Sequence, residues 1–259
     1  MNEESFRFKQ FTVHQDKCAK KGGTDAVLLG SWLNPARANR ILDIGTGSGI
    51  IALMLAQKTQ AEIDAIDIDE CAYLQAKENF RISPWFERLH IIHQSFQEYS
   101  EKSPERYDLI VSNPPYFHHA SKPNGESRLN ARHNDLLSFK EIVEGVKRLL
   151  VPSGIFCLIL PSREGIEFME LAQKRGLFCN RIVKIKTKPD RPEKRVIMVF
   201  SYDLSVIREE SLITNDMNGN YTDEYIELTR EYYIGLKQNP DQDSSKQMPF
   251  SSSSLSTGK

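Results

Sequence analysis

No stretch of the chain approaches the about 18 consecutive apolar residues that a membrane-spanning helix needs, so no transmembrane segment is expected. Met1, Asn2, Glu3, Glu4 and Ser5 do not form a basic stretch followed by an apolar one, so no secretory leader is expected either. Cysteine is scarce. Cys18, Cys71, Cys157 and Cys179 lie far apart with no CxxC pair, which argues against a metal knuckle or disulfide framework and for free thiols in a reducing compartment. Net charge is only −1, so the chain lacks the basic excess that a large phosphate footprint brings. These absences point to a cytoplasmic globular protein, expected as a monomer. Its 259 residues, 39% hydrophobic, suffice for one sizeable core.

Charge is unevenly placed, however. Residues 184–195 (KIKTKPDRPEKR) hold six Lys or Arg against two acids, and Arg7, Lys9, Lys17, Lys20 and Lys21 cluster near the start. Such patches steer anionic partners even at zero net charge; a solvated loop face is the plainer alternative.

Periodicity gives alternating strands and helices. Strands are expected at Arg40–Ile44, Ile63–Asp67, His90–His93, Tyr107–Ser112 and Ile155–Leu160, with two further β-rich runs near Asn180–Lys186 and Arg195–Tyr202. Helices are expected at Asp25–Leu33, where Asp25 would cap, then at Ile50–Lys58, Glu70–Phe80, Ser138–Leu150 and Glu164–Arg175. This pattern implies an α/β fold with a doubly wound, mostly parallel seven-stranded sheet. The connection over residues 187–194 is too short for a helical crossover, so the last two strands should form an antiparallel hairpin. The domain is expected over residues 1–236, with residues 1–24 as an N-terminal cap segment. The Ser-rich end, residues 237–259, is expected to be disordered.

Between the first long strand and its helix stands Leu42-Asp43-Ile44-Gly45-Thr46-Gly47-Ser48-Gly49. Glycines two apart let the backbone turn sharply and approach a ligand closely. A tight β–α turn alone would also use them. Two carboxylates narrow the choice. Asp43 suits a cationic group such as an amino acid's ammonium and would oppose a pyrophosphate. Asp67, ending the next strand, suits the two hydroxyls of a ribose. Together they describe S-adenosylmethionine better than a dinucleotide. Asp69 is read as a helix cap.

Asn113-Pro114-Pro115-Tyr116 follows the fourth strand, at the edge where open parallel sheets bind ligands. The Asn113 side-chain oxygen and the Pro114 carbonyl can each accept one hydrogen of a planar amine, such as that of adenine. The prolines stiffen these acceptors in advance, and Tyr116 offers a face for a base to stack on. A rigid turn is the alternative. His118, His119, Arg128, Arg132 and His133 follow, and could meet phosphates or the base. His118 and His119 lack metal-ligand spacing and a third partner, so no metal is expected.

LDIGTGSG followed by AIDID resembles the motifs of class I S-adenosylmethionine-dependent methyltransferases, which are Rossmann-like. That resemblance implies that Asp67 binds the ribose and that Ile68 lies against the adenine. Where the family usually carries an acid, this chain has His93-Gln94-Ser95-Phe96, implying Ser95 as acceptor and Phe96 as a flank. NPPY resembles the signature of amino-methyltransferases acting on adenine, guanine or glutamine. With FKQF at residues 8–11, GTDAVLLGSW at 23–32 and YTDEY at 221–225, the chain resembles the bacterial tRNA (adenine-N6)-methyltransferases that modify the adenosine 3′ of the anticodon in a valine tRNA. The likeness runs from about Phe6 to Tyr233. It implies tRNA as substrate, with Lys184, Lys186, Lys188, Arg191, Lys194 and Arg195, and Arg128 and Arg132, as candidate contacts. Thr24 and Asp25 would lie near the methionine end. Lys20 and Gly22 depart from the Met and Val expected there, which implies weaker cofactor affinity. A protein glutamine-N5 methyltransferase and a catalytically silent cofactor- and RNA-binding module remain the alternatives.

Overall fold

A computed structural model describes residues 5–17, 23–115 and 137–235. A short antiparallel hairpin, β1 (Ser5–Arg7) and β2 (Thr12–His14), precedes α1 (Thr24–Trp32). The main layer then alternates β3 (Arg40–Ile44), α2 (Ile50–Lys58), β4 (Glu62–Asp67), α3 (Glu70–Arg81), β5 (Leu89–His93), α4 (Phe96–Lys102), β6 (Tyr107–Ser112), α5 (Phe139–Leu149), β7 (Leu150–Pro161) and α6 (Ser162–Gln173). The chain closes with β8 (Phe178–Lys186), β9 (Arg195–Ser201), β10 (Arg208–Ile213) and α7 (Asp223–Thr229).

One sheet holds eight strands in the order β10-β8-β9-β7-β6-β3-β4-β5. All neighbours are parallel except β9, which runs antiparallel to both β7 and β8. The expected mostly parallel core and antiparallel hairpin are present. The sheet has one strand more than the seven expected. β10 (REESLI) is polar and largely exposed, so it carries no strand pattern of its own. Ion pairs to β8 help hold it at the edge, Glu209 to Lys184 at 2.6 Å and Glu210 to Arg181 at 2.7 Å.

Strands β3, β4 and β6 are buried along most of their length because helices cover both of their faces. One core packs α1, α2 and the N-terminal hairpin against one face. The second lies under α4, α5 and α6. Helix starts follow capping chemistry. Asp69 accepts from the Ala72 N–H at 2.8 Å, and Ser138 and Glu141 form a reciprocal box. Asp25 does not cap α1. Gly23 holds that position, and Asp25 lies in the first turn. At the amino edge of the sheet, Tyr107 donates to Asp64 at 2.7 Å, and Arg40 also binds Asp64.

Gly145 of α5 is a close-approach site, because a Cβ there would lie 2.4 Å from Cε1 of Phe96. Overpacking of this kind costs about 1–3 kcal/mol, against a helix-propensity gain of about 1 kcal/mol. With contacts of 2.4 and 2.7 Å to the Phe96 ring the cost lies toward the top of that range, so Gly145→Ala should lower stability by up to about 2 kcal/mol in urea titration. An unchanged or raised midpoint would contradict this packing.

Candidate active site

Parallel registers align the carboxyl ends of three strands. Ile44 of β3 pairs with Ser112 of β6 and with Ile66 of β4. The next residues outward, Asn113, Gly45 and Asp67, therefore leave the sheet side by side. The chain runs from β3 outward through β4 to β5, then returns to β6 on the other flank. This reversal between β3 and β6 is where open α/β sheets form a ligand crevice. Ser112 seals the junction, its hydroxyl donating to the Ile44 carbonyl at 3.0 Å.

The glycine turn is built for close approach. Gly45, Gly47 and Gly49 have φ of 68°, 58° and 81°, a region other residues adopt only with strain. A Cβ on Gly45 or Gly47 would meet no atom within 4 Å, so both glycines border open space. Gly49 is different, because its missing Cβ admits Phe80, whose Cε1 would lie 2.5 Å away.

Two carboxylates lie beside this turn. Asp67 accepts from the Gly47 N–H at 2.8 Å and the Asp69 N–H at 3.0 Å, leaving a lone pair on each oxygen for a diol. Burial holds its pKa above the usual carboxylate range. Asp43 is fully buried. Its Oδ2 accepts from the Thr46 hydroxyl at 2.6 Å, while Oδ1 has no partner in good hydrogen-bond geometry, the Ala52 N–H lending the carboxyl only weak support. Burial pushes its pKa to about 7, with Asp67 adding to the rise and the Thr46 bond opposing it. A cation above the turn would relieve both groups. The open space at Gly45 and Gly47, the poorly partnered Asp43 oxygen and the half-exposed apolar Ile68 beside Asp67 fit S-adenosylmethionine, which is cationic at one end and carries ribose and adenine at the other.

A further residue escaped sequence reading. Asn79, fully buried on α3, donates to the carbonyls of Ser48 and His14 at 2.8 and 2.9 Å and accepts from the His14 N–H at 2.9 Å. It thereby ties the glycine turn to the N-terminal hairpin. One turn earlier, Gln75 accepts from the Lys17 N–H at 2.9 Å. Two amides four apart, facing the apolar side of an otherwise amphipathic helix, were the available signal.

The expected site residues divide into groups. Asp43, Gly45, Thr46, Gly47, Gly49, Asp67, Ile68, Asn113, Pro114 and Pro115 gather at this edge, with Asn113 and Pro115 half-buried and Pro114 buried. Tyr116, Arg128, Arg132, Lys20 and Gly22 lie outside the described residues. Ser95 caps α4, accepting from the Glu98 N–H at 3.2 Å. Phe96, expected to flank the adenine, is a core residue: only 4% of it is exposed and its ring packs over Gly145. Two candidate RNA contacts are engaged elsewhere. Lys184 pairs with Glu209 of β10, and Arg195 pairs with Asp25 at 2.8 Å, joining β9 to α1. Among the described residues no group of three or more His, Cys, Asp or Glu is placed to hold a metal, and no helix is long and apolar enough to cross a membrane.

This sheet order and this edge define a class I S-adenosylmethionine-dependent methyltransferase. The crystal structure described as a predicted O-methyltransferase from Agrobacterium tumefaciens superposes with a TM-score of 0.63 at 19% identity, covering 80% of this chain and 96% of that one, and so shares the fold. Residues 18–174 match the Methyltransferase small domain family. The tRNA1(Val) (adenine(37)-N6)-methyltransferase of Bacteroides fragilis is 46% identical over 237 residues, 91% of this chain and all of that one. Its namesake in Flavobacterium johnsoniae is 48% identical over 235 residues, 89% of this chain and all of that one. The chain belongs to the tRNA1(Val) (adenine(37)-N6)-methyltransferase family.

Asn79→Leu, similar in size, takes the side-chain partner from three backbone groups, one buried and two half-buried. At about 1 kcal/mol for each bond, it should cost about 3 kcal/mol in urea unfolding and weaken binding of S-adenosylhomocysteine; normal affinity would separate Asn79 from the cofactor turn. The buried Asp43 gives a pH signature. The folded carboxyl keeps its proton to about pH 7, an unfolded one only to about pH 4. Between these values the folded state binds more protons. This stabilising contribution is therefore complete below about pH 4 and is lost as pH rises to about 7. Without methyl donor, Asp43→Asn should gain on the wild type by up to about 4 kcal/mol across that window. A stability difference independent of pH would refute the buried proton.

Proposed function

We propose that this protein transfers a methyl group from S-adenosylmethionine to N6 of adenine 37 in tRNA1(Val). Family membership gives the substrate, and the observation that carries the reading is the placement of Asn113 beside the glycine turn at the point where the sheet order reverses. When bound, S-adenosylmethionine supplies a methyl made electrophilic by its sulfonium.

The residues of the chain do the rest. Gly45, Thr46, Gly47 and Gly49 shape the turn, Asp67 takes the ribose hydroxyls, and Ile68 offers an apolar face to the adenosine ring. Asp43, shut off from solvent, acts through its negative field on the cationic end of the donor. The Asn113 side-chain oxygen and the Pro114 carbonyl accept the two amine hydrogens of the target, with Pro115 stiffening the loop. These bonds aim the nitrogen and draw its lone pair out of the ring. The methyl donor held here would supply its methyl to that lone pair and keep the carbon–sulfur bonding electrons on sulfur. The nitrogen then sheds one proton to solvent. Tyr116 is assigned from sequence alone to stack the extruded base. Ser95 remains available to the adenine amine through its hydroxyl oxygen. We read it as a monomer that acts on tRNA in the cytoplasm.

Asn113→Ala removes one of two acceptors at the reacting nitrogen. Such losses cost about 10²–10³ in kcat. Labelled methyl transfer to unmodified tRNA, followed by nucleoside analysis for N6-methyladenosine, should show that drop while affinity for S-adenosylhomocysteine stays within about twofold. Turnover retained in the variant would overturn the role.

A further inference from the structure

We propose that the groove between the β8–β9 loop and the β10–α7 loop binds the sugar-phosphate backbone of the RNA strand carrying the target adenine, a few nucleotides from it. This rests on the tRNA reading above and specifies where the strand runs. The groove has a volume of about 600 Å³, within the roughly 300–1,000 Å³ of ordinary ligand sites. Lys188, Arg191 and Lys194 line it, with Thr187 and Asn215 as further polar groups and Glu193 as its acid.

The state of these charges favours an anion. The Glu193 carboxylate leans toward Lys186, at 3.9 Å. Asp190 comes no nearer to Arg191 than 4.0 Å, too far for a hydrogen bond. Lys194 makes no ion pair among the described residues, and Lys188 reaches across to the Met217 carbonyl at 3.3 Å. By contrast, Lys184 and Arg195 of the same basic run are held by Glu209 and Asp25. The cationic patch legible in the sequence thus resolves into paired residues that hold the fold and a smaller group that faces the groove.

The groove is also preformed and correctly placed. The Asn215 N–H donates to the Thr187 carbonyl at 3.1 Å, joining the two walls, and the Lys194 N–H closes the loop on Ile185 at 2.9 Å. The Ser162 hydroxyl donates to the Glu193 carbonyl at 2.9 Å, pinning this loop to the start of α6. Because Arg195 pairs with Pro161 across β9 and β7, the loop lies on the same edge as Asn113. From β6 the order runs β7, β9, β8. Three strand spacings set the groove about 14 Å across the sheet from Asn113, and its loop stands further out, beyond the Arg195–Pro161 pair. Arg163, exposed at the start of α6, stands between the two. At that distance the groove touches neighbouring phosphates and not the reacting base, so it positions the RNA without reading its sequence.

The test compares two triple charge reversals in the full chain. Lys188→Glu, Arg191→Glu and Lys194→Glu alter the groove. Arg37→Glu, Arg106→Glu and Lys174→Glu make the same charge change at the opposite edge of the sheet, where all three side chains are exposed. Binding of unmodified tRNA is measured with S-adenosylhomocysteine present over a range of salt, alongside methylation kinetics. The groove variant should bind at least about tenfold more weakly, with a salt slope lower by about 2–3. Its kcat at saturating tRNA and its affinity for S-adenosylhomocysteine should not change. The control should stay within about twofold of wild type. Equal losses in both variants, or an unchanged affinity and salt slope in the groove variant, would overturn the proposal. Salt-dependent binding that depends on the groove while no methyl reaches adenine would support the groove and sink only the function proposed above.

Discussion

The site depends on the parallel hydrogen-bonded registers of β3 with β6 and with β4. Backbone groups buried in a sheet must find partners, and a one-residue slip would turn every side chain to the other face. The pairing of Ile44 with Ser112 and Ile66 is therefore enforced by the whole core. With it comes the side-by-side exit of Asn113, Gly45 and Asp67, which lie far apart in the chain. The loop that presents the amine acceptors and the turn that borders the donor owe their relative position to this register. Asn79 extends the constraint by tying the same turn to the N-terminal hairpin.

Charge is sorted along this edge. Toward β3 and β4 it carries Asp43 and Asp67, acids kept partly or fully from water, which suit a cationic donor. Toward β8 and β9 it carries lysines and arginines that suit a polyanion. A net charge of −1 is the sum of these opposed ends and of many surface ion pairs. Whole-chain charge is thus a poor guide here, because acids that suit a cationic donor and bases that suit a polyanion sit about four strands apart on one edge.

The core and the centre of the site were legible because their physics is local. LDIGTGSG needs only a strand, three positive-φ residues and a helix in succession, and NPPY marks itself by composition. What stayed hidden depends on contacts between distant segments. β10 reads as polar because an edge strand needs little apolar surface and is held in part by ion pairs to β8. Phe96 follows a strand end, as a ligand contact would, yet the glycine at 145 opens a socket for it that no pattern near residue 96 could show. Arg195 closes the most basic run in the chain, and its partner Asp25 is 170 residues away. Asn79 looks like an ordinary polar residue in a helix until the hairpin packs on it.

The insertion of β9 between β7 and β8 bears on how the molecule is assembled. β8 leaves α6 without a place beside β7, the last strand formed before it. It can join the sheet only through a strand that follows it in the chain. During synthesis, the β3–β7 portion can gather its parallel pairs while β8 waits for β9 to emerge, so the hairpin either forms by itself first or docks as a unit. A chain stopped before residue 195 would leave the β7 edge unpaired, its apolar strand open to strands of other molecules.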